Sequence, residues 1–449
     1  MNKLLITLLV ATVSAGAQDA ISLKDAVLLA LGKNKSLEAA AAARNATQTR
    51  ITQARSGLLP KVNYSESWTR SNNPVFVFGS LLSQRQFGPQ NFEIGSLNSP
   101  NFINNFQSQI TLDQTLYGAG QTMQTVRSAE LTRELTSEEG RRTQTEVIAQ
   151  VIRAYYDSLL SADQLSVTGQ SIRSAEADLE RAKNIRSAGM STDVDVLSIR
   201  VHLASVRELQ IRCTADVDVA RAALNDAIGL PLDAAHTLTT QLVPLDLPEV
   251  ALREQENTAI EQRPEARQAK LAIRLAETQV ATARSARLPQ VTLHGAFEAD
   301  RQRFVTRAGD NWLVSIGLRW NLFNGFSDKA RIEESKFAVD RSIAEEARAG
   351  SAIRLQVRRA YADLNAATQR IEVAKASVAE AEESLRITQN RYQAGISNIT
   401  DLLRTETAVL EVRTRHLAAI RDQRVAAAGL ELTAGTLTPD SAAVNERTR

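Results

Sequence analysis

Residues 312–322 read WLVSIGLRWNL, and every second side chain, Trp312, Val314, Ile316, Leu318, Trp320 and Leu322, is apolar. Between them stand Leu313, Ser315, Gly317, Arg319 and Asn321, so an extended chain here has one apolar face and one mostly polar face. The preceding segment keeps the same period, with Val291, Leu293 and Phe297 alternating with Thr292, His294 and Glu298, and RQRFVTRAGDN joins the two. The pattern predicts a β-hairpin over 289–323 of the kind that lines membrane barrels. Trp312 and Trp320 lie roughly 27 Å apart along such a strand, a spacing that suits aromatic side chains at the two interfaces of an apolar slab. A hairpin inside a sandwich core would show the same alternation, so the neighbouring sequence has to decide.

Moving outward, the chain proves to be written twice. Ile110 to Gly229 lies on Ile316 to Gly435 without a gap, matching Leu116-Tyr117 to Leu322-Phe323, Arg153-Ala154-Tyr155 to Arg359-Ala360-Tyr361, and Asp195 to Asp401. Upstream, Ala54-Arg55-Ser56 through Leu59-Pro60 matches Ala283-Arg284-Ser285 through Leu288-Pro289 at a longer offset. An insertion therefore lies between Pro60 and Ile110, in the Asn-, Pro-, Gly- and Phe-rich stretch SNNPVFVFGSLLSQRQFGPQNFEIGSLNSPNF, and reads as a long loop over 70–104. Around that loop Val62, Tyr64 and Trp68 are expected to pair with Phe106, Ile110, Leu112 and Leu116, although Glu66 and Ser108 interrupt the apolar face.

Beyond each hairpin the sequence turns helical. No proline occurs between Asn101 and Leu230 or between Gln290 and Thr438, and good helix formers dominate from about Gln121. Leu165, Ile172 and Leu179 recur every seven residues, as do Ile371, Val378 and Leu385. That period makes a coiled-coil seam, and one helix over 122–186 would be roughly 100 Å long. Past Gly189 and Gly395 the seam resumes with Val196, Leu203, Val217 and Leu224 in one copy and Leu402, Val409, Gln423 and Leu430 in the other. Antiparallel helical hairpins over 121–228 and 326–434 follow.

Four strands cannot close a cylinder, and open edges cannot face lipid, so several chains must share one barrel. Three chains give twelve strands; the residues alone do not fix that number. The organisation reads as a signal peptide over 1–17, a first repeat over 18–229, an equatorial linker over 230–262, a second repeat over 263–435 and a flexible tail over 436–449. The signal rests on Lys3, the apolar run Leu4 to Val13, and the small residues Ala15-Gly16-Ala17. Cys213 is too far from that site to carry an N-terminal lipid. Fifty-three Lys and Arg against 51 Asp and Glu, without a long basic run, argue against nucleic acid as a partner. One Cys and four scattered His leave no basis for a metal site, a cofactor or Cys/His catalysis, and neither copy carries a nucleophile triad, carboxylate pair or phosphate loop.

EQRPEARQAKLAI, ARSARLPQVTL, LRWNLFNGF and RYQAGISNITDLL, in that order and duplicated, make the chain resemble the TolC-like outer membrane efflux protein family over nearly all its mature length. The resemblance implies an α+β membrane protein, with a trimeric 12-stranded β-barrel continued by a long periplasmic α-helical coiled-coil barrel. It further implies a homotrimer in the outer membrane, most of each chain lying in the periplasm. Its partners would be outer membrane lipid, a periplasmic adaptor (membrane fusion) protein and an inner-membrane pump of the RND, ABC or MFS type. The function it implies is passive conduction of effluxed or secreted substrates.

The two helical turns are the candidate site. Gly189 and Gly395 suit a left-handed reversal, Ser191 and Ser397 can cap the helices that follow, and Asp193, Asp195 and Asp401 favour the positive first turn. Capping alone would explain all of these residues. The resemblance assigns them more: Asp401, with Asp195 and Asp193, would ring the closed periplasmic entrance, while Gly189, Met190, Ser191, Gly395, Ile396 and Ser397 would meet the adaptor. Trp68, Trp312 and Trp320 are the expected membrane-interface aromatics. A soluble periplasmic coiled-coil adaptor or scaffold is the alternative reading.

Overall fold

The computed structural model describes residues 19–188, 192–246, 251–305 and 309–445. The expected signal peptide, Gly189, Met190 and Ser191 lie outside these residues. In chain order the elements are β1 (Asp19–Ile21), α1 (Leu23–Lys33), α2 (Lys35–Arg55), β2 (Lys61–Ser71), α3 (Pro74–Ser83), α4 (Ile94–Asn98), β3 (Ile103–Tyr117), α5 (Gln121–Ser187), α6 (Asp193–Ile228), β4 (His236–Leu238), α7 (Leu252–Gln262), α8 (Pro264–Ser285), β5 (Gln290–Arg301), β6 (Gly309–Arg319), α9 (Ser327–Gln393) and α10 (Ile399–Ala434). The duplication is visible in the lengths: α5 and α9 each have 67 residues, and α6 and α10 each have 36. Contacts divide the chain into two units.

One unit comprises residues 43–137 and 268–347. Its sheet is antiparallel with strand order β2-β3-β5-β6. Register places Tyr64, Ile110, Phe297 and Trp312 side by side, so Val62, Trp68, Leu112, Leu293, Val314, Ile316 and Leu318 share their face. The opposite face carries Asn63, Ser65, Gln107, Gln109, Glu298, Asn311 and Ser315. Leu116, expected to pair on the apolar face, falls instead in a bulge between Thr115 and Tyr117, because the pairing slips by one residue there. The Glu66 interruption has a partner the sequence did not reveal. Arg301 reaches it at 2.8 Å, Tyr64 Oη donates to it at 2.8 Å, and Ser108 donates as well, so the carboxylate on the apolar face is fully engaged.

The other unit comprises the described residues of 1–42, 138–267 and 348–449. β1 pairs in parallel with β4, and against them pack Val27, Val151, Ile152, Tyr155, Tyr156, Leu224 and Ile228 in one core. Tyr155 Oη donates to the Ile21 carbonyl at 2.9 Å and accepts from the Thr240 amide at 3.3 Å, tying the two short strands to α5. Gly229, at φ 83°, ends α6 in the left-handed region, and a Cβ there would stand 2.7 Å from the Lys33 carbonyl oxygen. The segment 230–262, read as a linker, contains β4 and α7. It is fastened by Gln423, which takes an apolar seam position yet bonds the Leu245 amide at 2.9 Å and the Leu245 carbonyl at 3.1 Å.

The tail is a correction. Expected to be flexible as a chain terminus, its described part, residues 436–445, packs through Leu437, Ala443 and Val444 into the core beside α1, and Asp440 pairs with Lys24 at 2.9 Å. Three apolar side chains at suitable spacing outweigh the polar residues around them.

Removing the Tyr155 hydroxyl takes away the acceptor of the Thr240 amide and leaves the Ile21 carbonyl with the Thr239 amide alone. Tyr155→Phe is expected to lower stability by about 1–3 kcal/mol, read by thermal unfolding of the purified protein.

Candidate functional site

The second helix of each hairpin starts at a cap built by local sequence. In the second turn, Gly395 takes φ 73° and the Ile396 amide donates back to the Arg391 carbonyl at 2.8 Å, closing α9. Asn398 then caps α10, its Oδ1 accepting from the Asp401 amide at 2.8 Å. Ser397, expected as the cap, points its hydroxyl toward the Asp401 carboxylate at 3.4 Å instead. In the first turn the cap is Thr192, in a reciprocal box with Asp195, so neither predicted serine is needed for that role. The reason is one of register: the capping side chain must stand three residues before the amide it accepts from, which selects Thr192 and Asn398.

The three acidic residues sit in the first turns of α6 and α10 but in different settings. Asp193 is held by Arg186 at 2.6 Å, across the turn. Asp401 has Arg404 one helical turn on, at 3.4 Å, and remains about half exposed. Ile396 is largely exposed. Beneath the turns, Ala182, Val196, Ile199, Tyr392, Ile399 and Leu402 form a small core that binds the two hairpin ends to each other. An open groove of about 800 Å³ runs between α9 and α10 and ends at Ser397, Asp401 and Arg404.

Sequence reading missed a buried polar cluster a few turns from this end. Asp178 of α5 is 2% exposed and Glu406 of α10 is 8% exposed. His202 of α6 approaches Glu406 at 3.4 Å, and Arg181 of α5 bonds Asp178 at 2.8 Å. Burial, reinforced by the neighbouring Glu406 carboxylate, pushes the Asp178 carboxyl up to about 8. Burial opposes ionisation of Glu406 as well, but its contacts with His202 and with Asp178 hold it below the usual carboxylate range. One proton is thus kept between two carboxyls inside the coiled coil. The available signal was the stripe Ala175, Asp178, Ala182, whose spacing marks a seam with a carboxyl in it.

The aromatic residues complete the picture. Trp68 and Trp312 stand exposed on the apolar face of the sheet near its loop end. Trp320 lies just past β6, its indole donating to the Arg287 carbonyl at 3.1 Å. Among the described residues no helix is long and apolar enough to cross a membrane, and no group of His, Cys, Asp and Glu could hold a metal ion.

This geometry has known counterparts. The profile of the outer membrane efflux protein family matches residues 27–230 and 257–436. Protein CyaE of Bordetella pertussis is 26% identical over 75% of this chain and 72% of its own length. The alkaline protease secretion protein AprF of Pseudomonas aeruginosa is 24% identical over 93% of this chain and 85% of its own. The Campylobacter jejuni CmeC outer membrane channel superposes with a TM-score of 0.77 at 16% identity, covering 93% of this chain and 87% of that one.

The Asp178 proton carries a pH dependence. The folded state binds this proton more tightly than an unfolded chain, whose carboxyl titrates near 3.8, so stability falls as pH rises between the two values. The thermal midpoint is expected to drop from about pH 5 to about pH 8, and Asp178→Asn to flatten that slope, in calorimetry across the range.

Proposed function

The chain belongs to the outer membrane efflux protein family, and from that premise we infer how its parts divide the work of conduction. It is an outer membrane channel component of an efflux or secretion apparatus, with the family's fold: three chains share a twelve-stranded barrel that a long α-helical barrel continues. The soluble-scaffold alternative is set aside, since the profile that matches both copies is that of outer membrane efflux proteins. The observation that carries the reading is the family match to both copies, each pairing a β-hairpin that has one apolar face with a 67-residue helix and its partner.

In this reading the apolar face of β2-β3-β5-β6 meets lipid, with Trp68 and Trp312 at one interface and Trp320 at the other. Most of the chain stands in the periplasm. A periplasmic adaptor seats on the turns at Gly189, Met190, Ser191, Gly395, Ile396 and Ser397, and an inner-membrane pump of the RND, ABC or MFS type supplies the energy. The channel itself needs only a path and a gate. Three-fold symmetry brings Asp401, with Asp195 and Asp193 nearby, around one axis at the entrance, where like charges draw cations in. Arg404 beside Asp401 tempers that field.

Planar-bilayer recordings test the gate. Asp401→Ala, alone and with Asp195→Ala, is expected to cut cation selectivity several-fold and to raise the open fraction, whereas Arg404→Ala raises selectivity. Unchanged selectivity and opening in both aspartate variants would discard the assignment.

A further inference from the structure

The insertion that distinguishes the first copy from the second, between β2 and β3, is folded, and its position bears on what leaves the channel. α3 follows directly from the loop end of β2, and its last residue, Ser83, lies against the start of β6. Those strands are the two edges of the sheet, three inter-strand gaps apart or about 14 Å, and ten helical residues span about 15 Å. The helix is therefore cut to the width of the sheet it crosses.

Its fastening shows which side it lies on. Gln84, 3% exposed, donates to the Asn105 side chain at 2.8 Å and to the Asn104 carbonyl at 3.0 Å. Asn105 in turn donates to Asp300, itself 2% exposed, at 2.7 Å. Register puts Asn105 and Asp300 on the face shared with Gln107, Gln109, Glu298 and Asn311, opposite Ile110, Phe297 and Ile316. At the rim, where β6 begins, Arg85 pairs with Asp310 at 3.0 Å and bonds its carbonyl at 2.9 Å; Asp310 itself alternates onto the face of Trp312, so this contact anchors the helix to the strand's end and the Gln84–Asn105–Asp300 chain is what places it on the polar face. The backbone of Gly309 lies so close that a Cβ there would overlap the Ser83 carbonyl oxygen. Behind the helix, Phe78, Phe87 and Phe92 stack edge to face at centroid distances of 4.7 and 5.1 Å, which makes the insertion a packed body.

Twelve strands about 4.8 Å apart and tilted by about 40° close on a radius of about 12 Å. A helix with its side chains is about 10 Å across. Resting on the reading of the chain as a trimeric outer membrane channel, we propose that α3 is a strap on the lumenal rim of the barrel, and that three straps, one per protomer, set the size limit of the outer mouth. Val75 and Leu82, exposed on the strap, give that mouth apolar side chains, which resist wetting in a narrow passage.

The test is external labelling of the full-length trimer in intact cells. A cysteine at Ser315→Cys lies on the lumenal face of β6, one at Ile316→Cys on the lipid face, and native Cys213 is buried. With the strap present, a small charged maleimide should modify the Ser315 variant and a bulky polymer-linked maleimide should not. Replacing residues 74–100 with a short Gly-Ser turn, or displacing the strap with Gly309→Val, should speed the bulky reagent about tenfold while trimers persist on gels. Gln84→Ala provides a milder second variant, with a smaller increase expected. Bulky labelling that is equally fast with and without the strap overturns the proposal. Equal labelling of the Ser315 and Ile316 variants by the small charged reagent would instead overturn the barrel reading itself.

Discussion

The outward edges of β2 and β6 cannot stay unpaired in lipid. Each is an eleven-residue strand paired on its inner side, and on alternate residues its outward amides and carbonyls find no partner inside the chain's own sheet, where strand order ends at β2 on one side and β6 on the other. In water such edges are a hazard; in hydrocarbon each orphaned amide or carbonyl costs several kcal/mol. Pairing them with the edges of other copies removes the problem for all copies at once. Trimerisation is on this view a condition of insertion, and the alternation that makes one face apolar has meaning only once the ring is closed.

The same constraint explains where polar residues are tolerated. Glu66 on the apolar face is held by Arg301, Tyr64 and Ser108, two residues beyond the level of Trp312 and next along the face to Trp68, so its charge is met by partners within the sheet. On the other face polar side chains need no such company, and Ser65, Gln107 and Ser315 stand unremarkably toward the lumen. Asn105 and Asp300 are the exception there. They are buried because the strap covers them, and a buried carboxyl group on a face that should be wet is what reveals the covering element.

How far the sequence could be read follows from which interactions are periodic. The strands, the helices and the duplication repeat at fixed spacing, so Trp312 to Leu318 and the Leu165, Ile172, Leu179 seam announced their elements. The caps were missed by one residue, because Ser, Thr and Asn compete for a role that only backbone geometry decides. The tail was misread because three apolar residues among polar ones form no period, and the insertion offered no period at all. Arg301 with Glu66, and Asp178 with Glu406, were invisible for another reason: each joins residues distant in sequence, and nothing in the local pattern of one partner points to the other.

Asp178 also bears on how rigid the helical hairpins are. A coiled-coil seam filled only with Leu and Ile resists sliding weakly, since one apolar register is nearly as good as the next. A carboxyl that keeps its proton next to Glu406, with His202 on one side and Arg181 on the other, can be satisfied in one register only. Sliding α10 by a turn would strand two carboxyls in an apolar groove, and the cost of burying an unpartnered charge far exceeds that of shifting a leucine. Gln423, clasping Leu245 from the same helix, fixes the other end of α10 in the same manner. With both ends registered by buried polar contacts, a change at the turns is more cheaply met by the whole helix tilting than by its slipping along its neighbours.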